Sequence, residues 1–333
     1  MGTGSDAIYW SKDESAKILL QARDLKKYFP VKRGILKKTV GWIKAVDGVD
    51  LDIATGKTLG LVGESGCGKS TLARLILRLI DMDGGKLIFE GKAIHTLSDK
   101  EFKPIRKKIQ IIFQDPFGSL NPKMTIGETI EEGLRVLGIR AEERKKRVKE
   151  LLEMVGIPAS STDMYPHEFS GGQRQRIGIA RALSVNPSLI ICDEPVSALD
   201  VSVQAQIINL LRRLQEELAI AYLFISHDIN LIGYMSDMIA VMYLGKIMEI
   251  ATSEELFENP KHPYTRLLLS TVPEPDPKKK IFFKIKRQID VIEMVESGCK
   301  FWKRCPYASS ECRKIEVPMK KISSDHWVRC INL

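Results

Sequence analysis

The sequence predicts an α/β protein in which a mostly parallel sheet is covered by helices on both faces. Three short apolar runs carry this prediction, because strands buried on both faces read as continuous apolar segments. The runs are residues 59–62, 188–192 and 222–226. They are followed respectively by a glycine-rich loop, an acidic pair and a histidine. Ligands bind at the carboxyl ends of strands in such sheets, so the same runs predict where a functional site lies.

Two further parts are predicted before and between these runs. Apolar and polar side chains alternate within residues 17–60, which predicts antiparallel strands with a basic loop inserted at residues 31–44. Helical spacing within residues 126–137 and 141–155 predicts an inserted helical lobe at about residues 115–185. The parallel core is then expected to resume from residue 189.

Length, charge and apolar content restrict the class of protein. The chain has 333 residues, of which 44% are hydrophobic, and this is enough to bury a sizeable core. The net charge of +9 suits either nucleic acid or an anionic membrane surface. The aromatic–basic interleaving typical of nucleic-acid binding is absent from the sequence, so no nucleic-acid partner is predicted. No apolar run approaches the roughly 20 residues of a membrane span, and no secretion signal is evident, so we expect a cytosolic chain.

The glycine-rich loop has the features of a phosphate-binding site. Its residues are Gly63, Glu64, Ser65, Gly66, Cys67, Gly68, Lys69 and Ser70, followed by Thr71. Glycines allow successive backbone amides to point at an anion, and the N-terminus of the following helix adds its own donors and dipole. We expect Lys69 to reach the β- and γ-phosphates, Ser70 to bind Mg²⁺ and Thr71 to lie near the α-phosphate. The same helix N-terminus is expected to lower the pKa of the Cys67 thiol and open it to alkylation.

Polar side chains at other strand ends supply the remaining catalytic groups. Asp193 is expected in the Mg²⁺ shell, and Glu194 is expected to orient or deprotonate the attacking water. His227 is a candidate for binding the γ-phosphate and holding the geometry of that water. Gln114 follows the predicted strand at residues 109–113 and is a neutral candidate for the Mg²⁺ shell and for sensing the γ-phosphate.

A second anion site is predicted at Ser170, Gly171, Gly172 and Gln173. Serine is a favoured N-cap, and the glycines expose backbone amides at the start of a helix. One chain has no need of two phosphate-binding helix ends for a single γ-phosphate. We therefore predict a head-to-tail dimer, in which these four residues close over the nucleotide held by the partner's glycine-rich loop.

Together these segments resemble the motifs of the ATP-binding cassette family, the nucleotide-binding subunits of ABC transporters. GESGCGKS resembles the Walker A motif, FSGGQ the signature, LIICDE the Walker B motif and SALD, at residues 197–200, the D-loop. Gln114 and His227 then correspond to the Q-loop and H-loop. The resemblance implies a P-loop NTPase of the ABC cassette type that binds ATP and Mg²⁺, with an antiparallel β subdomain, an inserted α-helical subdomain and Asp200 at the dimer interface.

The resemblance also implies two contacts outside the phosphate site. An aromatic side chain at the end of the N-terminal strand should stack on adenine, and both Phe29 and Tyr28 are candidates, with Phe29 favoured by its position. A coupling helix of a membrane subunit is expected to dock on the helical lobe.

The C-terminal part of the sequence resembles the tail of dipeptide and oligopeptide importer ATPases. HPYT at residues 262–265 carries this resemblance, together with Gly298, Cys299, Phe301, Arg304, Cys305, Pro306, Ala308 and Cys312. We predict a nucleotide-binding domain at residues 1–260 and a small Cys-rich C-terminal extension at residues 261–333, with a proline-rich linker at residues 272–280.

The tail resemblance implies the ATP-hydrolysing subunit of a peptide importer, peripheral to the membrane at its cytoplasmic face. Its implied partners are a second ATPase chain (a sister chain or a second copy), integral membrane permease subunits and, indirectly, an extracytoplasmic peptide-binding protein. The cassette motifs alone leave open another substrate, such as a sugar, a metal or a drug, or a soluble cassette ATPase without a transport role.

Four of the six cysteines lie in the last 35 residues. They are Cys299, Cys305, Cys312 and Cys330, separated by 5, 6 and 17 residues. Structural zinc usually takes more closely spaced pairs, whereas four thiolates with a Cys-Pro step favour a [4Fe-4S] cluster. The family resemblance points to such a cluster in some members. Zinc is the alternative metal, and packing without any metal is the other interpretation that stays open.

Overall fold

The structure is a computed structural model of the chain, and it describes residues 9–10, 17–34, 38–271 and 298–332. Contacts divide the chain into two units. The first unit comprises Met1–Ala54, Thr58–His95 and Ser226–Leu333, and the second comprises Thr55–Lys57 and Thr96–Ile225. The predicted linker at residues 272–280 lies outside the described residues.

Antiparallel strands and the first helix form the N-terminal part of the first unit. Its elements are β1 (Ile18–Arg33), β2 (Lys38–Ala54), β3 (Thr58–Val62), α1 (Lys69–Ile76), β4 (Gly84–Phe89) and β5 (Lys92–Ala93). One antiparallel sheet has the strand order β2-β1-β4-β5. The core lies where the two long strands are apolar, since Leu20, Leu25 and Leu51 are fully buried.

The predicted basic loop at residues 31–44 is wrong. β1 and β2 instead continue as paired antiparallel strands, in which Val31 pairs with Gly41 and Arg33 pairs with Lys38. Pairing of the β1 and β2 backbones holds these residues in the extended conformation, and this pairing outweighs the basic composition.

The second unit contains a parallel sheet and the inserted helices. Its elements are α2 (Asp99–Arg106), β6 (Ile109–Ile112), α3 (Ile126–Val136), α4 (Ala141–Met154), α5 (Gly171–Leu183), β7 (Leu189–Asp193), α6 (Val201–Leu218) and β8 (Ala221–Ser226). The strands run parallel in the order β8-β7-β6. α3 packs on α4 and α5, so the predicted helical lobe is present.

The C-terminal part of the first unit extends a second sheet. Its elements are α7 (Ile229–Met235), β9 (Met238–Tyr243), β10 (Lys246–Thr252), α8 (Ser253–Glu258), α9 (Pro263–Ser270), α10 (Glu311–Lys314), β11 (Lys320–Ser323) and β12 (His326–Val328). Within this unit the strand order is β11-β12-β10-β9-β3, with β3 parallel to β9. β12 pairs antiparallel with β10, so the cysteine-rich tail is part of the sheet.

A buried polar cluster fixes the tail to this sheet. The His326 ring Nε2 lies 2.6 Å from Glu249 Oε1, and both side chains are completely buried. Glu249 also accepts hydrogen bonds from the backbone amides of Lys261 at 2.7 Å and His262 at 3.0 Å.

Among the residues that the structure describes, no helix has the length and apolar character to cross a membrane.

Candidate functional site

The glycine-rich loop connects β3 to α1, as the sequence predicts. A Cβ atom on Gly63 would lie 2.2 Å from the carbonyl oxygen of Met242, and one on Gly68 would lie 2.0 Å from that of Ala45. Gly68 also has a φ of +114°, a value that residues other than glycine rarely adopt. The loop is therefore packed so tightly against neighbouring backbone that only glycine fits at these two positions.

Lys69 is the first residue of α1 and lies over the loop. Its side chain donates hydrogen bonds to the carbonyl oxygens of Gly63 at 2.7 Å and Glu64 at 3.1 Å, and the residue is only 4% exposed. Ser70 and Thr71 follow in the first turn and are half-buried, whereas Ser65 and Gly66 are exposed. The ammonium group and the start of the helix thus concentrate positive potential at one point.

Cys67 is buried, and its thiol pKa shifts in the direction opposite to the one its position predicts. The residue is 3% exposed, and burial raises the pKa of its thiol. The positive charge of Lys69 acts in the opposite direction but does not overcome burial. The expected lowering of the Cys67 pKa is therefore wrong, because desolvation of the thiolate outweighs the helix N-terminus.

The two aromatic candidates for adenine stacking differ in their surroundings. Phe29 is 38% exposed, near the outer end of the region where β1 pairs with β2. Tyr28 is half-buried, and its hydroxyl donates to Asp47 Oδ1 at 2.8 Å. Burial raises the pKa of Asp47, but the Tyr28 hydrogen bond and the charges of Lys246 and Lys300 outweigh it and hold this pKa below its usual range. Tyr28 is therefore held by a buried carboxylate, while Phe29 is the more exposed of the two residues.

His227 lies in the short connection between β8 and α7, and it is exposed. Its neighbours fix this connection: the Asp228 amide donates to the Ser226 hydroxyl at 3.0 Å. Asp228 in turn caps α7, accepting from the Asn230 amide at 2.9 Å. The histidine is thus presented on a hydrogen-bonded turn at the end of an apolar strand.

Gln114 and Glu194 meet in the second unit. The Gln114 amide nitrogen donates to Glu194 Oε2 at 3.1 Å, although the two residues are 80 positions apart. Glu194 has a φ of +49°, and its backbone amide donates to the carbonyl oxygen of Ile225 at 3.0 Å. Asp193 is the last residue of β7 and pairs with Ile225 of the next strand. The φ of Glu194 lies in the left-handed region, which residues other than glycine adopt uncommonly.

Ser170 caps α5 in the way that the sequence predicts. Its hydroxyl accepts from the Gln173 amide at 3.4 Å, and the Gln173 side chain accepts from the Ser170 amide at 2.9 Å, forming a capping box. A Cβ on Gly172 would lie 2.4 Å from Val203 Cγ1 on α6, so a glycine is required for this helix contact. Asp200 directly precedes α6 and is exposed.

Two tail residues that the sequence did not assign to the site contact the glycine-rich loop. The Arg304 guanidinium donates to both carboxylate oxygens of Glu64, at 2.8 Å and 2.9 Å. The Tyr264 hydroxyl accepts from the Glu64 backbone amide at 2.9 Å. Both residues belong to the tail patterns at residues 262–265 and 298–312, but those patterns do not indicate which part of the chain they contact.

The four tail cysteines line one cavity of about 20 Å³, together with His262, Pro263, Phe301, Trp302, Tyr307, Val317, Ile331 and Asn332. Burial raises the pKa of Cys299 to about 12 and also raises that of Cys330. Within the described part of the chain, no group of three or more His, Cys, Asp or Glu side chains has an arrangement that could hold a metal ion. The four thiols therefore share a cavity, but as they stand they do not form a metal centre.

Two family profiles match the chain. Residues 46–197 match the profile described as "ABC transporter", and residues 248–312 match "Oligopeptide/dipeptide transporter, C-terminal region". The oligopeptide transport ATP-binding protein AppF of Bacillus subtilis is 49% identical over 317 residues, which cover 94% of this chain and 96% of that protein. The oligopeptide transport ATP-binding protein OppF of Escherichia coli is 47% identical, covering 96% of this chain and 98% of that protein.

Solved structures give the same result for the fold. The dimeric post-hydrolysis structure of the ATP-binding cassette MJ0796 bound to ADP and Pi has a TM-score of 0.63 and 31% identity, covering 71% of this chain and 99% of that one. CbiO1 of Clostridium perfringens, part of the ABC transporter complex cbiONQ, has a TM-score of 0.63 and 28% identity, covering 73% and 91%. The predicted fold class is confirmed, and this fold with its phosphate loop defines an ABC-type ATPase. The chain belongs to the family of ATP-binding proteins of oligopeptide and dipeptide ABC transporters.

Proposed function

We propose that the chain is the ATP-hydrolysing subunit that drives a peptide importer. The observation that carries this proposal is the match of residues 248–312, which include HPYT and three of the four tail cysteines, to the C-terminal region of oligopeptide/dipeptide transporters. The relatives named for oligopeptide transport match over nearly their whole length. Permease subunits supply the membrane pore, and an extracytoplasmic binding protein delivers the peptide to them. The chain then works at the cytoplasmic face of the membrane as a peripheral subunit.

Residues 63–71 hold the triphosphate of ATP in this proposal. The support is the conformation of the loop, with its glycine-only positions and the buried Lys69 at the helix N-terminus. Phe29, and not Tyr28, stacks on the adenine. Its ring is exposed, whereas the Tyr28 hydroxyl is committed to Asp47.

Ser70, Asp193 and Gln114 hold Mg²⁺, assigned by their motifs. The ion neutralises charge on the phosphates when it is bound. Glu194 orients and deprotonates the attacking water, and His227 hydrogen-bonds the γ-phosphate. The hydrogen bond between Gln114 and Glu194 supports this assignment, since it holds the two side chains together at the end of β7.

A second ATPase chain completes each site. Ser170, Gly171, Gly172 and Gln173 act on the nucleotide held by that partner, and Asp200 lies in the interface between the chains. The capping box supports this role because it fixes the first turn of α5, which begins with Gly171 and Gly172. The MJ0796 cassette bound to ADP and Pi is itself described as dimeric.

The catalytic assignment is tested with Glu194→Gln, which keeps the shape of the side chain and removes its basicity. Hydrolysis should fall on the order of 100-fold or more, since general-base catalysis contributes at least that much. ATP binding should remain, and the variant should accumulate as a nucleotide-bound dimer in size-exclusion chromatography. Glu216→Gln, at an exposed position on α6, is the matched control. Wild-type phosphate release by Glu194→Gln would remove Glu194 from its role.

The transport assignment is tested by uptake in cells that lack this chain. Wild-type protein should restore the uptake of labelled oligopeptides, Lys69→Ala should not, and the uptake of a sugar should be unchanged throughout. Restoration of sugar uptake alone would replace the peptide assignment. If the chain copurified with ribosomes and not with permease subunits, the proposed role in transport would be wrong.

We further propose that Cys299, Cys305, Cys312 and Cys330 hold a [4Fe-4S] cluster, with zinc as the alternative. All four thiols line the same cavity, which supports a common ligand. A cavity of about 20 Å³ has room for about one water, so the thiols would have to separate to admit a cluster. Iron and acid-labile sulfide, measured after anaerobic purification, should be lost in Cys312→Ser and kept in Cys67→Ser. Colourless, iron-free protein would reject the cluster, and stoichiometric zinc would favour the alternative.

A further inference from the structure

An acidic side chain stands within the phosphate loop. Glu64 is the second residue of the loop, and its carboxylate would repel the phosphates of a nucleotide if it were unpaired. In the structure both of its carboxylate oxygens accept hydrogen bonds from Arg304, at 2.8 Å and 2.9 Å. Two parallel, charge-assisted hydrogen bonds fix the direction of the carboxylate as well as offsetting its charge.

The Arg304 guanidinium is itself held in place. It lies 5.8 Å from the ring centroid of Tyr243 and 5.6 Å from that of Phe301, and its side chain is only 14% exposed. The Arg304 backbone amide donates to the carbonyl oxygen of Phe301 at 3.0 Å. A planar fork packed against two rings is suited to bidentate pairing, and lysine would not reproduce this.

The turn that carries Arg304 also contacts strand β2. Lys300 Nζ lies 3.3 Å from Asp47 Oδ2, and Asp47 accepts the hydrogen bond from Tyr28. The residues between Cys299 and Cys305 therefore contact both β2 and the phosphate loop within the first unit. The Tyr264 hydroxyl accepts from the Glu64 amide, so the loop is also held at its backbone.

We propose that Arg304 is a positioning residue for ATP binding, which acts by neutralising Glu64 and holding its carboxylate away from the phosphates. This inference rests on the proposed role of residues 63–71 in binding the triphosphate. It connects the cysteine-bearing tail to the nucleotide through one residue pair that is 240 positions apart in the sequence. Loss of Arg304 leaves a negative charge in the loop, and removal of that charge from Glu64 restores binding.

The test measures the equilibrium affinity of the purified full-length chain for ATP in the presence of EDTA, so that hydrolysis does not interfere. Arg304→Met should bind ATP about tenfold more weakly, and the weakening should grow at low salt because the repulsion is less screened. The double variant Glu64→Gln with Arg304→Met should return to within about twofold of wild type, if the two effects cancel as coupled neighbours do. Lys314→Met removes an exposed charge from the same tail and serves as the control with unchanged affinity.

Each outcome separates this inference from the proposed function. Wild-type affinity in Arg304→Met, together with loss of binding in Lys69→Ala, would overturn the role of Arg304 and leave the phosphate loop in place. Wild-type affinity in Lys69→Ala would overturn the phosphate loop itself. If Arg304→Met binds ATP weakly and Glu64→Gln does not restore the affinity, Arg304 has only a structural role, and the proposal is refuted.

A second comparison applies if Arg304→Met does not fold. Arg304→Lys keeps the charge but provides one contact in place of two, so ATP affinity should fall about threefold, and Glu64→Gln should again restore it. Thermal unfolding of each variant identifies any loss of fold. The proposal would also be refuted if ATP bound equally tightly to the wild type, to Arg304→Lys and to the double variant Glu64→Gln with Arg304→Lys.

Discussion

Gly68→Ala tests whether the backbone of the phosphate loop sets its affinity for ATP. Two costs add at this position. The first is the positive φ of +114°, which disfavours any side chain, and a left-handed conformation costs about 1–2 kcal/mol for an ordinary residue. The second is steric, since the new Cβ would lie 2.0 Å from the Ala45 carbonyl oxygen and 2.8 Å from the Met242 side chain. The contact with Ala45 is to backbone, so the loop itself must move.

The two costs are separated by a matched control. Gly91 has a φ of +76° in the turn between β4 and β5, and a Cβ there would have no heavy atom within 4 Å. Gly91→Ala therefore carries the conformational cost without the clash. We expect both variants to lower the free energy of unfolding, by about 1–2 kcal/mol for Gly91→Ala.

The assay compares the two variants by ATP binding to the full-length chain and by urea unfolding. Gly68→Ala should lose at least about tenfold in ATP affinity, equivalent to about 1.4 kcal/mol. Gly91→Ala should bind ATP like the wild type. If Gly68→Ala binds ATP as tightly as Gly91→Ala does, the packing of Gly68 against Ala45 does not set the conformation of the loop, and the reasoning fails.

Three further predictions concern the α5 cap and the polar cluster below the tail. Ser170→Ala removes the hydroxyl that accepts from the Gln173 amide, so the free energy of unfolding measured with urea should fall by about 1 kcal/mol, while Ser170→Thr should retain most of it. Burial lowers the pKa of His262 from 6.5 to about 4, so the unfolded chain binds more protons between these values, and stability should fall as the pH decreases through this range. His262→Asn can still accept the hydrogen bond from the Tyr264 amide that caps the helix, but it cannot titrate in this range. The difference between its urea midpoints at about pH 7.5 and about pH 5 should therefore be smaller than that of the wild type. An equal difference would contradict the assignment to His262. Glu249→Ala leaves the amides of Lys261 and His262 and the Nε2 atom of the buried His326 ring without their hydrogen-bonding partner, so calorimetry should report a loss of about 3–5 kcal/mol, whereas the exposed Glu258→Ala should change little.

The fold was predictable wherever a local pattern determines the local structure. The apolar run at residues 222–226 forms β8, and helical spacing placed α3 and α4 within one residue of their observed ends. The cap at Ser170 was predictable for the same reason, because serine followed three positions later by glutamine is a local signal. These features need no information from distant parts of the chain.

The errors and omissions have a common cause, which is that tertiary burial and pairing leave no local signal. Cys67 stands at a helix N-terminus, but its pKa is raised because the fold encloses it. The hydrogen bond of Gln114 to Glu194 and the pairing of Arg304 with Glu64 each join residues 80 or more positions apart. The strands at residues 31–33 and 38–44 were missed because basic residues suggested a loop, whereas pairing between β1 and β2 determines the conformation.

The position of the tail within the first unit gives the cysteine cavity a physical connection to ATP binding. β12 pairs with β10, and β10 pairs with β9, which lies beside the strand that leads into the phosphate loop. At the end of β9, the Tyr243 ring contacts both Tyr264 and Phe301, and Phe301 also lines the cavity. Arg304 is adjacent to Cys305 in the sequence and pairs with Glu64. A change in the chemical state of the four thiols, such as alkylation of the purified chain, should thus alter the turn that holds Glu64 and weaken ATP binding.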